Sequence, residues 1–345
     1  MNTASLYWIS LLLAAVVAGA VLPFLRKVLG PLFIDAPGGL KQHKHAVPVI
    51  GGCAIMLGLT VSLIFIRYTT NFPTGTLHSL RGILCGAAII ASVGILDDLT
   101  KPRGVSIALK LALQMMAVLC LLGYGVHITL EGYPYLSYIL TFLWVMGLTN
   151  AFNLLDIQDG LCVSQAVICA LGLCLITLPG EQIYVNFCAC ALLGACIGFW
   201  PYNHAKKCKI FLGDSGSTLL GFLLAALAMG ADYSQHSSVG FLAPLLIFAV
   251  PLFDTAFVSL IRIIQGKNPL RGSPDHAALR LHQKGFSSKT ILYLFITVGL
   301  VFNLLAFTAT VLPTKAALTI YLCTVIMWFV AAIYLARIQV AYEKK

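Results

Sequence analysis

The sequence predicts an all-α polytopic membrane protein of about 11 transmembrane helices, with its N-terminus outside and its C-terminus cytoplasmic. Three observations predict it. The chain is 59% hydrophobic and only 10% charged, with a mean hydropathy of +0.93; a soluble domain is typically about a quarter charged. Its apolar runs are long enough to cross a ~30 Å hydrocarbon core, whereas a transmembrane barrel would show short alternating strands. Finally, the lysines and arginines fall on one side of the spans.

The apolar runs lie at 6–29, 47–67, 80–96, 106–124, 135–153, 161–178, 182–200, 214–232, 239–264, 289–312 and 316–338. The first has no basic segment before it, and Arg26-Lys27 follow rather than precede it, so it reads as a transmembrane helix and not as a cleaved signal. All but Arg67, Arg81 and Lys315 of the 22 Lys and Arg fall in alternate loops or the C-terminal tail, which orients those loops to the cytoplasm. The long loops 30–46 and 265–288 are on that side; the outer loops are short, such as Pro179-Gly180-Glu181. The positive-inside bias by itself produces the net charge of +10, which also attracts anionic lipid and nucleotide to the inner face. No basic helix or aromatic–basic platform suggests nucleic-acid binding. The 11 cysteines fall almost entirely in apolar spans and read as small buried fillers. With no internal repeat or low-complexity tract, residues 1–345 read as a single integral membrane domain.

Three polar clusters interrupt this pattern. They are Leu96-Asp97-Asp98-Leu99-Thr100-Lys101, the stretch from Asn150 to Gly160, and Phe211-Leu212-Gly213-Asp214-Ser215-Gly216-Ser217. They hold Asp97, Asp98, Asp156, Asp159 and Asp214, five of only 12 acidic residues, and all three fall at cytoplasmic span ends. Carboxylates beside hydrocarbon are costly unless paired, solvated or bound to a cation. Asp97 and Asp98 can hold Mg²⁺, accept a proton or orient a lysine, or they form a helix-end pair bridged to Lys101 and Arg103. Lys110 faces either headgroups or a bound phosphate. Asn150, Asn153, Asp156 and Asp159 recur every third residue, which places them near one face of a helix that Gly160 would end. Interhelical hydrogen bonding or a transport pathway would explain the same stripe. At Gly213–Ser217, backbone N–H groups of a helix start could bind phosphate while Asp214 binds its metal, or Asp214 and Ser215 are simple caps. Asp254 lies within a span and needs a partner, expected to be a nearby basic residue.

In order and spacing these clusters resemble the polyprenyl-phosphate N-acetylhexosamine-1-phosphate transferases, the MraY and WecA type of glycosyltransferase family 4. The match runs from about Asp35 to about Phe286. It takes in Asp35, Pro37, Lys41 and His43, Pro48 and Gly51-Gly52, then Gly94-Ile95-Leu96-Asp97-Asp98 with Lys110 and Gln114. Asn153-Leu154, Asp156, Asp159-Gly160-Leu161, Asn203 and Phe211 to Ser217 complete it. The resemblance implies a multi-pass protein of the inner (plasma) membrane that works at its cytoplasmic face. It would transfer a sugar-1-phosphate from a UDP-amino sugar to a polyprenyl phosphate lipid and release UMP, for cell-envelope polysaccharide synthesis.

The resemblance also assigns residues. It implies Mg²⁺, with Mn²⁺ as a substitute, held at Asp214 with Asn153 in its shell. Asp97, Asp98, Asp156 and Asp159 would line the active site, with Asp97 or Asp98 the candidate base for the acceptor phosphate. Lys44, Lys110, Asn150, Asn203, Gly213, His276, Arg280 and His282 would bind substrate. A homodimer is an assembly it allows. Two departures stand out. Ile157 occupies a position that is often glycine in the family, and its adjacent-histidine motif is reduced here to His276 and His282. The second places the chain closer to the WecA-like branch than to the muramyl-pentapeptide one. Two other classes compete: an ion-coupled transporter using the cytoplasmic carboxylates, and an intramembrane aspartyl protease. Phe211 stands where the protease motif needs its first glycine, and transport sites usually lie near the midplane.

Overall fold

A computed structural model describes residues 3–36, 45–70, 76–180, 182–205, 207–234, 237–269 and 273–338. Among them the protein is helical apart from one two-stranded ladder. The chain divides into two compact units, Met1–Ala231 and Asp232–Lys345.

The first unit contains α1 (Thr3–Val28), α2 (Gly51–Thr69), α3 (Thr76–Thr100), α4 (Ile107–Gly123), α5 (Pro134–Leu155), α6 (Leu161–Thr177), α7 (Ile183–His204) and α8 (Gly213–Met229). Between α1 and α2, β1 (Ile34–Asp35) pairs antiparallel with β2 (Val47–Pro48). Just beyond β2, Val49 lies alongside Phe211, and the Gly51 and Gly52 N–H groups donate to the Phe211 and Leu212 carbonyls at 3.0 Å each. The start of α2 is thereby tied to the start of α8.

Helix α8 is the core of this unit. Nearly every residue from Gly213 to Ala228 is buried, and α2, α3, α5, α6 and α7 all pack on it. Such a helix needs no amphipathic face, only small residues where neighbours come close. Two glycines on those neighbours allow the approach. A Cβ at Gly94 would stand 2.3 Å from Ser215 Cα, and one at Gly52 would stand 2.4 Å from the Gly216 nitrogen. Both contacts are with backbone, which cannot swing aside.

The second unit contains α9 (Ala243–Ile247), α10 (Ala249–Ile264), α11 (Ala277–Gln283), α12 (Ser288–Val311) and α13 (Thr314–Ala336). The run 239–264, expected as one continuous span, is instead two helical pieces bent by 69°. Pro251 explains the break: it has no N–H to offer the Ile247 carbonyl, and its ring crowds the preceding turn. Within the long loop 265–288, α11 adds a helix that the hydropathy pattern does not reveal.

Eight helices among the described residues are long and apolar enough to cross a membrane. The bent pair passes the same test as a ninth span, and α4 and α8 are shorter apolar helices. The protein is thus an all-α polytopic membrane protein.

The Gly94 contact yields a direct test. Gly94→Ala forces α3 away from α8, an overpacking that typically costs about 1–3 kcal/mol. We expect the detergent-solubilised variant to melt several degrees below the wild type in a thermal-shift assay; an unchanged melting temperature would contradict the packing described.

Candidate active site

The site of the first unit forms where α3 ends, α4 begins and α8 begins. Asp97 and Asp98 occupy the last turn of α3 and are 4% and 2% exposed. The chain reverses through Gly104, at φ +66°, so that the Val105 N–H donates to Asp97 Oδ1 at 2.6 Å. Ser106 then caps α4, accepting the Leu109 N–H at 3.3 Å. This reversal brings Lys110 back onto the acidic pair. Its Nζ lies 2.9 Å from Asp97 Oδ1 and 2.8 Å from Asp214 Oδ2. Lys101 mirrors it, 2.8 Å from Asp98 Oδ1 and 3.3 Å from Asp214 Oδ1. The Asp98 carboxylate also accepts the N–H groups of Asp214 and Ser215, both at 3.0 Å. A small cleft opens onto this cluster, lined by Asp97, Lys110, Gln114, Asp214, Thr218 and the α3 residues Ile90, Val93 and Gly94.

The polar stripe of α5 divides between helix and turn. Helix α5 stops at Leu155, five residues before Gly160, so Asn150 and Asn153 are helical while Asp156 and Asp159 sit in the turn beyond. The expectation that all four share one helical face is therefore corrected. Gly160 instead opens α6 at φ +77°, and a Cβ there would meet the His204 ring at 2.1 Å. Asn150 exchanges amide hydrogen bonds with Gln114 of α4, at 2.8 and 3.3 Å. Asn153 donates to Ser217 Oγ of α8 at 3.0 Å.

Asp156, half-buried, has its pKa pushed up to about 7, first by burial and then by the Asp214 carboxylate, with Lys101 pulling the other way. Burial works against the charge on Lys101, but the carboxylates of Asp98 and Asp214 outweigh it and hold the ammonium above its ordinary range.

Other expected residues lie apart from this cluster. Asp159 is paired with Lys209, whose Nζ also sits 5.2 Å from the Phe211 ring centroid. Asn203 uses both ends of its amide on backbone, accepting the Gly160 N–H at 2.6 Å and donating to the Ile210 carbonyl at 3.1 Å. It braces the 156–160 turn against the segment leading into α8. Lys44 lies outside the described residues.

His276, Arg280 and His282 belong to the second unit. The buried His276 pairs through Nδ1 with Asp254 Oδ2 at 2.7 Å, and the Ala277 N–H donates to Asp254 Oδ1 at 2.8 Å. The partner expected for Asp254 is thus a histidine. Arg280, also buried, donates to Asp275 Oδ1 at 2.7 Å and to the Leu335 and Ile338 carbonyls at 3.1 and 2.6 Å. Breaking a buried pair of this kind by removing one partner costs about 3–5 kcal/mol. His282 is exposed and donates to the Phe286 carbonyl at 3.0 Å.

The geometry adds Lys101, Gln114 and Ser217 to the site. Lys101 has a signal in the sequence, three residues beyond Asp98 on the same helical face. Gln114 and Ser217 stand within the matched stretches, though the sequence assigns neither a role.

Among the described residues, no three carboxylate, cysteine or histidine side chains converge as a closed metal cage. The donor set nevertheless fits Mg²⁺. That ion usually takes one or two carboxylates and leaves its other positions to water and substrate phosphates. Asp214 offers a carboxylate at the cleft; Asn153, outside the cleft lining but bonded through its amide nitrogen to Ser217 of the same helix as Asp214, has an amide oxygen to offer. Four carboxylates here face two ammonium groups, an acidic surplus that the raised Asp156 reflects and that a divalent cation would match.

A helical, polytopic membrane protein with a carboxylate–lysine centre at its helix ends is the class that fold and site define. The profile of the family described as "Glycosyl transferase family 4" matches residues 80–232, which run from the second turn of α3 through α8 and include the whole cluster. A Bacillus subtilis protein named "Probable undecaprenyl-phosphate N-acetylglucosaminyl 1-phosphate transferase" is 30% identical over 284 residues, 79% of this chain and 76% of that one. The "Decaprenyl-phosphate N-acetylglucosaminephosphotransferase" of Mycolicibacterium smegmatis is 27% identical over 328 residues, covering 86% and 80%. A "Phospho-N-acetylmuramoyl-pentapeptide-transferase" of Streptococcus pneumoniae is 30% identical over 296 residues, covering 77% and 86%. The chain belongs to glycosyl transferase family 4, the family its motifs resemble.

The state of Asp156 makes stability pH-dependent. Its folded pKa is about 7, against about 3.9 for an unfolded carboxyl, so the native protein holds a proton the unfolded chain has lost. Stability should therefore fall as pH rises through roughly 4 to 7 and then level off. With divalent cations chelated, we expect Asp156→Asn to lose this part of the dependence. Parallel melting curves for variant and wild type from pH 5 to 8 would contradict it.

Proposed function

We propose that the protein transfers a sugar-1-phosphate, N-acetylhexosamine-1-phosphate, from a UDP-sugar to a polyprenyl phosphate and releases UMP. The observation that carries this reading is Asp214 held between Lys101 and Lys110 beside Asp97, in a family whose relatives are named for this kind of transfer.

Phosphoryl transfer asks little covalent chemistry of a protein and depends on positioning and charge neutralisation. Lys110, which lines the cleft, and Lys101, a quarter exposed beside it on Asp214, supply cationic donors for phosphate oxygens. Asp214 and the Asn153 oxygen would hold Mg²⁺ or Mn²⁺, which when bound offsets charge on the donor diphosphate. Asp97 fixes Lys110 and lines the cleft. Asp156 and Asp159 shape the neighbouring turn, while Asn150 and Asn203 brace the elements around it. The acceptor phosphate has its second ionisation near pH ~6, so at neutral pH there is little proton to remove. Direct attack by the acceptor phosphate on the donor is the pathway that follows. Asp97 and Asp214 lie at helix ends, which suits an interfacial phosphate better than an ion path through a span.

The eight long helices, the bent pair taken as one span and the two shorter helices α4 and α8 would together give eleven crossings. That odd number would put the termini on opposite sides, and the lysine and arginine bias of the loops would set the N-terminus outside and the C-terminus in the cytoplasm, with the site at the cytoplasmic face of the inner (plasma) membrane. The whole chain, 1–345, would act as one transferase domain on a product destined for cell-envelope polysaccharide.

The test is incubation of the purified protein with undecaprenyl phosphate and a panel of UDP-sugars, scored by UMP release. We expect release with a UDP-N-acetylhexosamine, its loss in EDTA, and at least a hundredfold drop in Asp214→Asn without loss of fold. Full activity in EDTA would contradict the metal assignment, and no release with any donor would contradict the reading itself.

A further inference from the structure

We infer that Asp98 is a positioning residue: its carboxylate caps the start of α8 from a different helix, and so sets Asp214 and Lys101 in place without touching substrate. The inference rests on reading this cluster as the transferase centre.

Helix α8 provides no cap of its own. The residue before it is Leu212, whose side chain cannot accept a hydrogen bond and whose own backbone is helical, at φ −65° and ψ −49°. A helix start presents N–H groups that need acceptors and a dipole that favours negative charge. Both needs are met by Asp98 from the end of α3. Its Oδ1 accepts the Asp214 N–H and its Oδ2 the Ser215 N–H, at 3.0 Å each. Oδ1 also accepts the Lys101 ammonium at 2.8 Å. One carboxylate therefore holds the backbone of the residue expected to bind metal and one of the two lysines that grip its side chain.

The same geometry removes Asp98 from the cleft. Its side chain is 0% exposed, and it is absent from the cleft lining that includes Asp97, Lys110 and Asp214. On its remaining side the backbone of α8 closes over it. Gly213 is at φ +81°, and a Cβ there would stand 2.6 Å from Asp98 Oδ2. Asp98 has no open face from which to take a proton from an acceptor phosphate. The Asp214 and Ser215 N–H groups, at the helix start expected to hold a phosphate, are already occupied by this internal anion. Recognition of substrate phosphate then falls to Lys101 and Lys110, and the base, if the reaction uses one, is Asp97.

Three measurements on the full-length protein test this. The first uses Asp98→Asn, which keeps the volume but turns an NH₂ against one of the two N–H donors. Hydrogen exchange over residues 211–220 should quicken, and Mn²⁺ affinity, read by its electron paramagnetic resonance, should fall at least tenfold. The second is the pH profile of that variant: kcat should drop at least a hundredfold by a factor constant from about pH 6.5 to 9. The third adds nitrate or formate to Asp98→Ala. Nitrate is a planar anion with no useful basicity, so it can replace a cap but not a base. Both anions should slow the exchange over 211–220 and restore Mn²⁺ binding and part of the turnover.

Rescue by formate alone, rescue by neither, recovery of kcat at high pH, or unchanged exchange in a folded Asp98→Asn would each overturn the assignment. If Asp98→Ala does not fold, the exchange in Asp98→Asn decides. If the wild type releases no UMP with any donor, the transferase reading fails while the exchange measurements still judge the cap.

Discussion

Mutual neutralisation at the junction of α3, α4 and α8 is the constraint on which the rest of the structure depends. Asp97, Asp98 and Asp214 are packed where water is scarce, and an unpaired carboxylate there would be too costly to keep. Two lysines and three backbone N–H groups partner them, and each partner must arrive at the right depth. Lys110 arrives only because the chain reverses at Gly104. Asp214 arrives only because α8 lies within backbone contact of α3 and α2, across Gly94 and Gly52. The packing of the helical core and the chemistry of the site are thus one problem: loosening the core around α8 would also pull apart the charges.

Much of this is legible in the sequence. Hydropathy alone locates every apolar run, because a helix in hydrocarbon must satisfy its own backbone and carries its signal locally. The acidic clusters stand out for the same reason, since charge is rare in such a chain. Asp97, Asp98, Lys110 and Asp214 come together as their placement at span ends implies. Lys101 is half legible: its spacing to Asp98 is plain, but its reach to Asp214, 113 positions further on, is a long-range contact. Local periodicity misleads at 156–160, where a spacing of three suggests a helix that had already ended at Leu155. It misleads again at 239–264, where hydropathy runs on past the break before Pro251. Composition does not distinguish a straight span from a bent one.

What the sequence hides is which polar groups serve the fold. Asn203 and Asp98 stand within motifs and invite a chemical role, yet Asn203 spends its hydrogen bonds on the Gly160 and Ile210 backbone, and Asp98 spends two on the Asp214 and Ser215 backbone and one on Lys101. A family that must hold several loops at one interface needs such braces as strictly as it needs ligands. The braces are buried and fully partnered, whereas Lys101, Lys110 and Asp214 each keep about a quarter of the side chain exposed. Side-chain exposure, not membership of a motif, separates those three from the two braces.

The wiring of the lysines suggests how so tightly paired a centre can still accept a phosphate. Neither lysine belongs to Asp214 alone. Lys110 is shared with Asp97 and Lys101 with Asp98, at 2.9 and 2.8 Å. Either ammonium can give up its contact with Asp214 and keep a carboxylate partner, so neither is left uncompensated when Asp214 turns to another cation. An ammonium has three protons to donate, and one released from Asp214 can meet a phosphate oxygen while the others stay in place. Asp97 and Asp98 keep the lysines on station, and only Asp214, held by flexible side chains at the cleft, has its partners free to exchange. The resting ion pairs are on this view the same donors that meet the substrate, positioned before it arrives, which is the condition electrostatic catalysis of phosphoryl transfer requires.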